Sequence, residues 1–307
     1  MERRTVDLEQ LLVATSRTFA LAIPLLPEPT RGEVTLSYLL FRIADTFEDA
    51  ASWPRALRIE ALERFGRLLE DPDPAEVAGI SRHWAVEVPC DQPGYRDLLA
   101  EIPAVLDVFF ALRPEAVALI REHTLRTARG MAGFVARTTD EGELKLADIP
   151  DLQGYCYVVA GIVGELLTEL FLLGRPGLAP IAPYLRQRSR AFGEGLQLVN
   201  ILKDSASDAT EGRRYLPDGV DRTAVLDLAR RDLRAAREYV LALQDAGAER
   251  GLVAFNALPV ELAYATLDRV ETAGPGSKLT RTEVYAIVQH MNRALDRNEP
   301  AVSATGS

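Results

Sequence analysis

Tyr38-Leu39-Leu40-Phe41-Arg42-Ile43-Ala44-Asp45-Thr46-Phe47-Glu48-Asp49 is the stretch that decides how the chain is read. Its polar positions Tyr38, Arg42, Asp45 and Asp49 step by four, three and four residues. At about 3.6 residues per turn such a series forms one stripe along a helix. Leu39, Leu40, Phe41, Ile43 and Phe47 fill the other faces, so the helix is apolar nearly all round and belongs in a core. The carboxylates of Asp45 and Asp49 then point the same way one turn apart, with Glu48 beside them. Buried carboxylates are costly unless compensated. Magnesium, which takes one or two carboxylates and completes its shell with phosphate oxygens, is a natural compensation. The alternative is an amphipathic helix with solvated acids at its C-terminal end, although acids there oppose the helix dipole. On this segment alone both readings stand.

A second stretch repeats the pattern. In Phe192-Gly193-Glu194-Gly195-Leu196-Gln197-Leu198-Val199-Asn200-Ile201-Leu202-Lys203-Asp204-Ser205-Ala206-Ser207-Asp208, the positions Gln197, Asn200, Asp204 and Asp208 step by three, four and four. Amides inside an apolar helix need partners. The basic residues Arg213 and Arg214 follow a few positions later, within reach of a phosphate held by the same metals. Two acidic stripes on separate apolar helices, each accompanied by basic residues, are the composition of a site for divalent ions and a diphosphate leaving group. A pocket lined by apolar helices would shield a carbocation from water, and a helical-bundle interior is where such a pocket belongs.

The rest of the chain fits an all-α reading. Three- and four-residue apolar steps predict helices over 33–49, 54–70, 95–110, 115–137, 148–173, 184–208, 222–246, 250–272 and 280–295. Pro27-Glu28-Pro29, Asp71-Pro72-Asp73-Pro74, Gly174-Arg175-Pro176-Gly177 and Gly274-Pro275-Gly276 punctuate them. No long Pro/Ser/Gly linker divides the chain, which predicts one domain over 1–297, and the small polar residues 298–307 read as a disordered tail. A net charge of −10 speaks against non-specific nucleic-acid binding. Cys90 and Cys156 are too few for a disulfide framework, and a cytoplasmic protein with reduced thiols is expected. The apolar run from Tyr155 to Leu173 is broken by Gly161, Gly164, Glu165, Thr168 and Glu169 and reads as a core helix rather than a membrane span. Glu165 and Glu169 read as partners for arginines, and His83, His123 and His290 show no ligand spacing.

Four motifs in order carry a resemblance. Ser16-Arg17-Thr18-Phe19-Ala20, Asp45-Thr46-Phe47-Glu48-Asp49, Tyr155-Cys156-Tyr157-Val158-Val159-Ala160-Gly161-Ile162-Val163-Gly164, and Gln197 to Asp208 with Gly212-Arg213-Arg214-Tyr215-Leu216-Pro217 resemble the successive motifs of squalene and phytoene synthases. The resemblance runs from about residue 11 to 217, with a weaker echo at Lys278-Leu279-Thr280-Arg281, and is nearest to the bacterial squalene synthases. It implies an isoprenoid-synthase helical bundle with a central active-site cavity. It also implies a magnesium-dependent reaction in which two farnesyl diphosphates join through presqualene diphosphate, followed in squalene synthases by hydride from NADPH. No Gly-rich dinucleotide fingerprint is present, and this fold would not use one.

Position by position, the resemblance makes Asp45, Asp49, Asp204 and Asp208 the magnesium ligands. It places Ser16, Arg17, Arg42 and Arg213 near diphosphates and Tyr38 beside the first of them, and it assigns Tyr155 to proton handling or cation stabilisation. Phe19, Val159, Ala160, Gln197 and Asn200 match substrate-pocket positions. Lys203 reaches either a diphosphate or water. Ala50 and Ser207 stand where many members carry a further acid, which lowers the local charge. The competing readings are a non-reductive phytoene- or dehydrosqualene-type synthase, an aromatic prenyltransferase, and a non-catalytic prenyl-lipid-binding or assembly protein. Prenyl diphosphates are the expected partners, and a lipophilic product is compatible with peripheral contact at a membrane face.

Overall fold

Aspartate caps and prolines set where the helices begin. In the computed structural model, α1 (Leu8–Thr15) starts after Asp7, whose carboxylate accepts from the Gln10 N–H at 2.9 Å. The short α2 (Phe19–Ala22) follows. Next comes α3 (Thr30–Glu48), opened by Glu28, which accepts from the Gly32 N–H at 3.2 Å. After α4 (Arg55–Glu70), α5 (Pro74–Glu87) has proline at its first position, where the missing N–H costs nothing, and an Asp73 cap. Proline also stands first in α6 (Pro93–Ala100) and α8 (Pro114–Val135) and second in α7 (Ile102–Phe110), in each case without a side-chain cap.

The structure describes residues 7–16, 18–90, 92–139, 142–210 and 213–303, without the side chains of 209 and 210. It divides into two compact units, Met1–Ile23 with Glu28–Leu144, and Pro24–Pro27 with Lys145–Ser307. The division at Leu144/Lys145 falls where no linker composition marks it.

In the first unit α3 and α4 pack on α8, and α5 lies against α6 and α7. Phe47, Phe65, Trp84 and Phe109 are buried in its core, with the Phe47 and Trp84 ring centroids 4.6 Å apart. Each such side chain contributes about 1.5–3 kcal/mol by leaving water. Glu33 of α3 is buried and receives Arg113 at the head of α8 (Nη2 to Oε2, 2.9 Å), a two-pronged pair that ties the two helices. The single helix expected over 95–110 is two. Pro103 has no N–H to continue the ladder, and the carbonyls of Leu99 and Ala100 take the Ser81 hydroxyl instead, at 2.6 and 3.0 Å.

The second unit contains α9 (Ile149–Cys156), a π-turn (Tyr157–Gly161), α10 (Ile162–Leu172), α11 (Ala182–Thr210), α12 (Arg222–Asp245), α13 (Arg250–Ala273) and α14 (Arg281–Asp296). The long α11 is its axis, packed by α10, α12 and α13. Glycines let the backbones touch: a β-carbon on Gly164 would lie 2.0 Å from the Ser189 carbonyl oxygen, and one on Gly193 would lie 2.0 Å from that of Ala160. Ile149–Leu172 is long and apolar enough to cross a membrane by length and composition. Its backbone is in close contact with α11 at Gly164 and Gly193, and half of this apolar stretch is buried within the unit. Residues 298–303, read from the sequence as disordered, are held: Ala301 and Val302 are buried, and Arg237 Nε donates to the Ser303 carbonyl at 2.8 Å. The remaining tail, 304–307, lies outside the described residues.

Candidate functional site

The first acidic stripe lies on α3 as its spacing predicts. Arg42 is the hub. Its guanidinium stands 3.1 Å from the Asp45 carboxylate, its Nε donates to the Tyr38 hydroxyl at 3.3 Å, and its Cζ lies 5.5 Å from the Tyr38 ring centre and 5.3 Å from that of Tyr95. The Tyr38 hydroxyl donates onward to the Thr15 carbonyl at 2.7 Å, which fixes the ring against the end of α1. Phe19 packs on Tyr38 with centroids 5.6 Å apart, and the Phe19 N–H is capped by the Ser16 hydroxyl at 3.0 Å. Of the expected residues of this cluster, Arg17 lies outside the described residues. The structure separates the three acids: Glu48 is buried, Asp45 is half-buried and Asp49 is exposed.

Burial pushes the Asp45 carboxyl up to about 6, with Arg42 opposing and Asp49 adding to the shift. Burial also works against the Arg42 charge, but Asp45, Tyr38 and Tyr95 together outweigh it and hold the guanidinium above its ordinary range.

The second stripe lies on α11. Lys203 bridges Asn200 Oδ1 (3.3 Å) and the Asp204 carboxylate (3.1 Å), while its own carbonyl accepts from the Gly276 N–H at 2.7 Å. Arg213 stands 3.9 Å from Asp208, and the two share a cleft of about 190 Å³ with Ile201, Ser205 and Tyr215. Arg214 lines the same cleft from a more exposed position. Tyr155, buried on α9, donates its hydroxyl to that of Tyr215 at 3.0 Å, and the rings stack at 4.7 Å. Tyr155 is therefore joined to the Asp208–Arg213 cleft through Tyr215. Val159 and Ala160 lie in the π-turn, and Gln197 is half-buried on α11. Asn200 is exposed, and the contact it makes is with Lys203.

Both donor sets suit a hard cation, since they offer carboxylate oxygens without sulfur or imidazole. Among the described residues no three acidic, histidine or cysteine side chains converge. Each pair would offer the one or two carboxylates that magnesium uses when phosphate and water complete its shell. Because cations bind the ionised carboxylate, Mg²⁺ affinity is expected to fall as pH drops through the Asp45 value of about 6. One unit lower, about a tenth of the carboxyl is ionised, a loss of about tenfold. Thermal unfolding with and without Mg²⁺ should show a larger gain at pH 7 than at pH 5, and Asp45→Asn should remove that difference. An equal gain at both values would exclude Asp45 as a ligand.

Comparison with known proteins converges on one family. The squalene/phytoene synthase family model matches residues 12–220. The squalene synthase of Eremothecium gossypii is 32% identical over 212 residues, which cover 68% of this chain and 45% of that protein. The chain spans less than half the length of the curated relatives it matches. Among solved structures, TcSQS with the ligand E5700 superposes with a TM-score of 0.72 at 25% identity, covering 95% of this chain and 88% of the other. A ligand complex of a dehydrosqualene synthase superposes with a TM-score of 0.62 at 20% identity, covering 94% and 95%. The ordered motifs, the helical fold and the extent of the match make this chain a member of the squalene/phytoene synthase family.

Proposed function

We propose that the chain joins two farnesyl diphosphates through presqualene diphosphate and reduces the product to squalene, with magnesium and NADPH as cofactors. The observation that carries this reading is the matching of each acidic pair to a cation: Arg42 lies 3.1 Å from Asp45, Lys203 3.1 Å from Asp204, and Arg213 3.9 Å from Asp208. Acids able to hold a metal beside bases able to hold phosphate are what a metal–diphosphate needs. Bound magnesium would neutralise the diphosphate and make it a better leaving group.

The chain's own residues have separable tasks. Arg42, Lys203 and Arg213 orient phosphate oxygens. Val159, Ala160, Val163 and Leu167 keep a partly accessible apolar strip on a segment whose other face, Cys156, Ile162, Leu166 and Leu170, is buried. An apolar strip of this kind suits a prenyl chain, which on binding would exclude water. The hydroxyl of Tyr155 has a fixed partner in Tyr215, so its proton is held at a defined place beside the cleft.

The test is incubation with farnesyl diphosphate and Mg²⁺, with and without NADPH, followed by mass analysis of the organic extract. Squalene formed only with NADPH is the expected result. Dehydrosqualene or presqualene species under both conditions would replace the reductive reading by a non-reductive one. Unconsumed farnesyl diphosphate would overturn the substrate assignment.

A further inference from the structure

The α3 stripe contains a residue that its sequence spacing does not include. Tyr95 arrives from α6 and sets its ring 5.3 Å from the Arg42 guanidinium carbon, while Tyr38 sets its own at 5.5 Å. One piece of backbone places both rings. At Gly94 a β-carbon would lie 2.4 Å from the Ala14 carbonyl oxygen, so α6 is seated directly on the last turn of α1. The next residue of that turn, Thr15, accepts the Tyr38 hydroxyl at 2.7 Å.

Among the described residues of this cluster, the carboxylate that Arg42 contacts is Asp45, at 3.1 Å. If Asp45 serves a cation, that contact weakens just when the guanidinium must face a phosphate. A long arginine side chain without an anchor has much rotamer freedom to lose on binding. Aromatic faces attract a guanidinium without competing for the metal or for the phosphate oxygens.

We infer that Tyr95 is a positioning residue that, with Tyr38, clamps Arg42 in place for a substrate diphosphate while Asp45 is engaged by the cation. This rests on the diphosphate reading given above.

The probe is Mg²⁺ with inorganic pyrophosphate, titrated calorimetrically in an Asp204→Asn background so that the α11 cluster does not contribute to the signal. Tyr95→Leu is expected to weaken binding about five- to tenfold, and Tyr95→Phe, which keeps the ring, to stay within about twofold. In an Arg42→Gln background Tyr95→Leu should cause no further loss, because its effect passes through Arg42. That non-additivity is a readout that general damage to the fold would not produce. Three results would overturn the inference while leaving the diphosphate site standing: unchanged binding by Tyr95→Leu, a Phe variant as weak as the Leu variant, or additive losses with Arg42→Gln. Absence of pyrophosphate binding by the parent would overturn the diphosphate reading itself, and this inference with it.

Discussion

Asp45→Asn and Asp204→Asn are each expected to fold as the parent does and to lose farnesyl diphosphate turnover by about a thousandfold or more, since metal stabilisation of a departing charge is worth several kcal/mol. Asparagine keeps the shape of aspartate and can still accept from Arg42 or Lys203, which lie 3.1 Å from Asp45 and Asp204 respectively. It removes the charge that, on the proposed reading, would bind a hard cation. For Asp45 the sign of the stability change separates this effect from misfolding. A carboxyl whose folded-state value is raised contributes stability that is present below its ordinary value of 3.8 and lost as pH rises through about 6. At pH 7 the ionised group is therefore a small burden on the metal-free fold, and neutral asparagine escapes it. The unfolding midpoint of Asp45→Asn without Mg²⁺ should equal or exceed the parent's at pH 7, while the Mg²⁺-dependent gain shrinks. Turnover by both variants above a tenth of the parent's would remove the aspartates from the mechanism.

What could be read from the chain follows from what a local period encodes. The stripes on α3 and α11 needed only residues three and four apart, and the helices carrying them form over Thr30–Glu48 and Ala182–Thr210. The arginine partners were also legible, because Arg42 shares the stripe with Asp45 and Arg213 follows Asp208 closely in sequence. Tyr95 and Tyr215 were not read as site residues. Tyr95 reaches its place through the α1–α6 contact at Gly94, a tertiary fact, and Tyr215 through its stacking on Tyr155. The π-turn at Tyr157–Gly161 was invisible for another reason: it changes the hydrogen-bond step within a run that is apolar on both sides and leaves no break in composition. Of the three helices missed, α1, α2 and α5, the signals of the first and last were present. Leu8, Leu11, Leu12 and Thr15 in α1, and Val77, Ile80 and Trp84 in α5, follow the helical step. In α5 Pro74 read as the end of the preceding helix when it is the first residue of the next. The part of the tail that is described, 298–303, is held by contacts its small polar composition does not announce: the buried pair Ala301 and Val302 and the bonds of Ala301 and Ser303 to Gln244, Glu261 and Arg237.

Gly164→Ala and Gly193→Ala should be among the most damaging single-methyl changes in the second unit. The added carbon of the first would sit 2.0 Å from the Ser189 carbonyl oxygen, and that of the second 2.0 Å from the Ala160 oxygen and 2.6 Å from the Ala160 carbonyl carbon. A relaxed carbon–oxygen approach is about 3.3 Å or more, so the segments must separate by roughly an ångström. The obstructing atoms are backbone and cannot rotate aside. Overpacking a core typically costs about 1–3 kcal/mol and occasionally more, and a backbone obstacle places these variants at the upper end. At about 2–4 °C per kcal/mol for a unit of this size, the unfolding midpoint should fall by roughly 6–12 °C. The damage should also reach activity, because the displaced segment is the π-turn that carries Val159 and Ala160, so kcat/KM for farnesyl diphosphate should drop even at temperatures where the variant is folded. Gly79→Ala is the matched control. It lies exposed within α5 with nothing within 4 Å of the added carbon, and alanine there should stabilise by about 0.5–1 kcal/mol through helix propensity alone. If Gly164→Ala melted within 2 °C of the parent, by the same scale of a few degrees per kcal/mol, the backbone contact between α10 and α11 would not be what holds the π-turn. Its geometry would then have to come from side chains, with Arg190 stacked on Tyr157 at 4.5 Å the first to test.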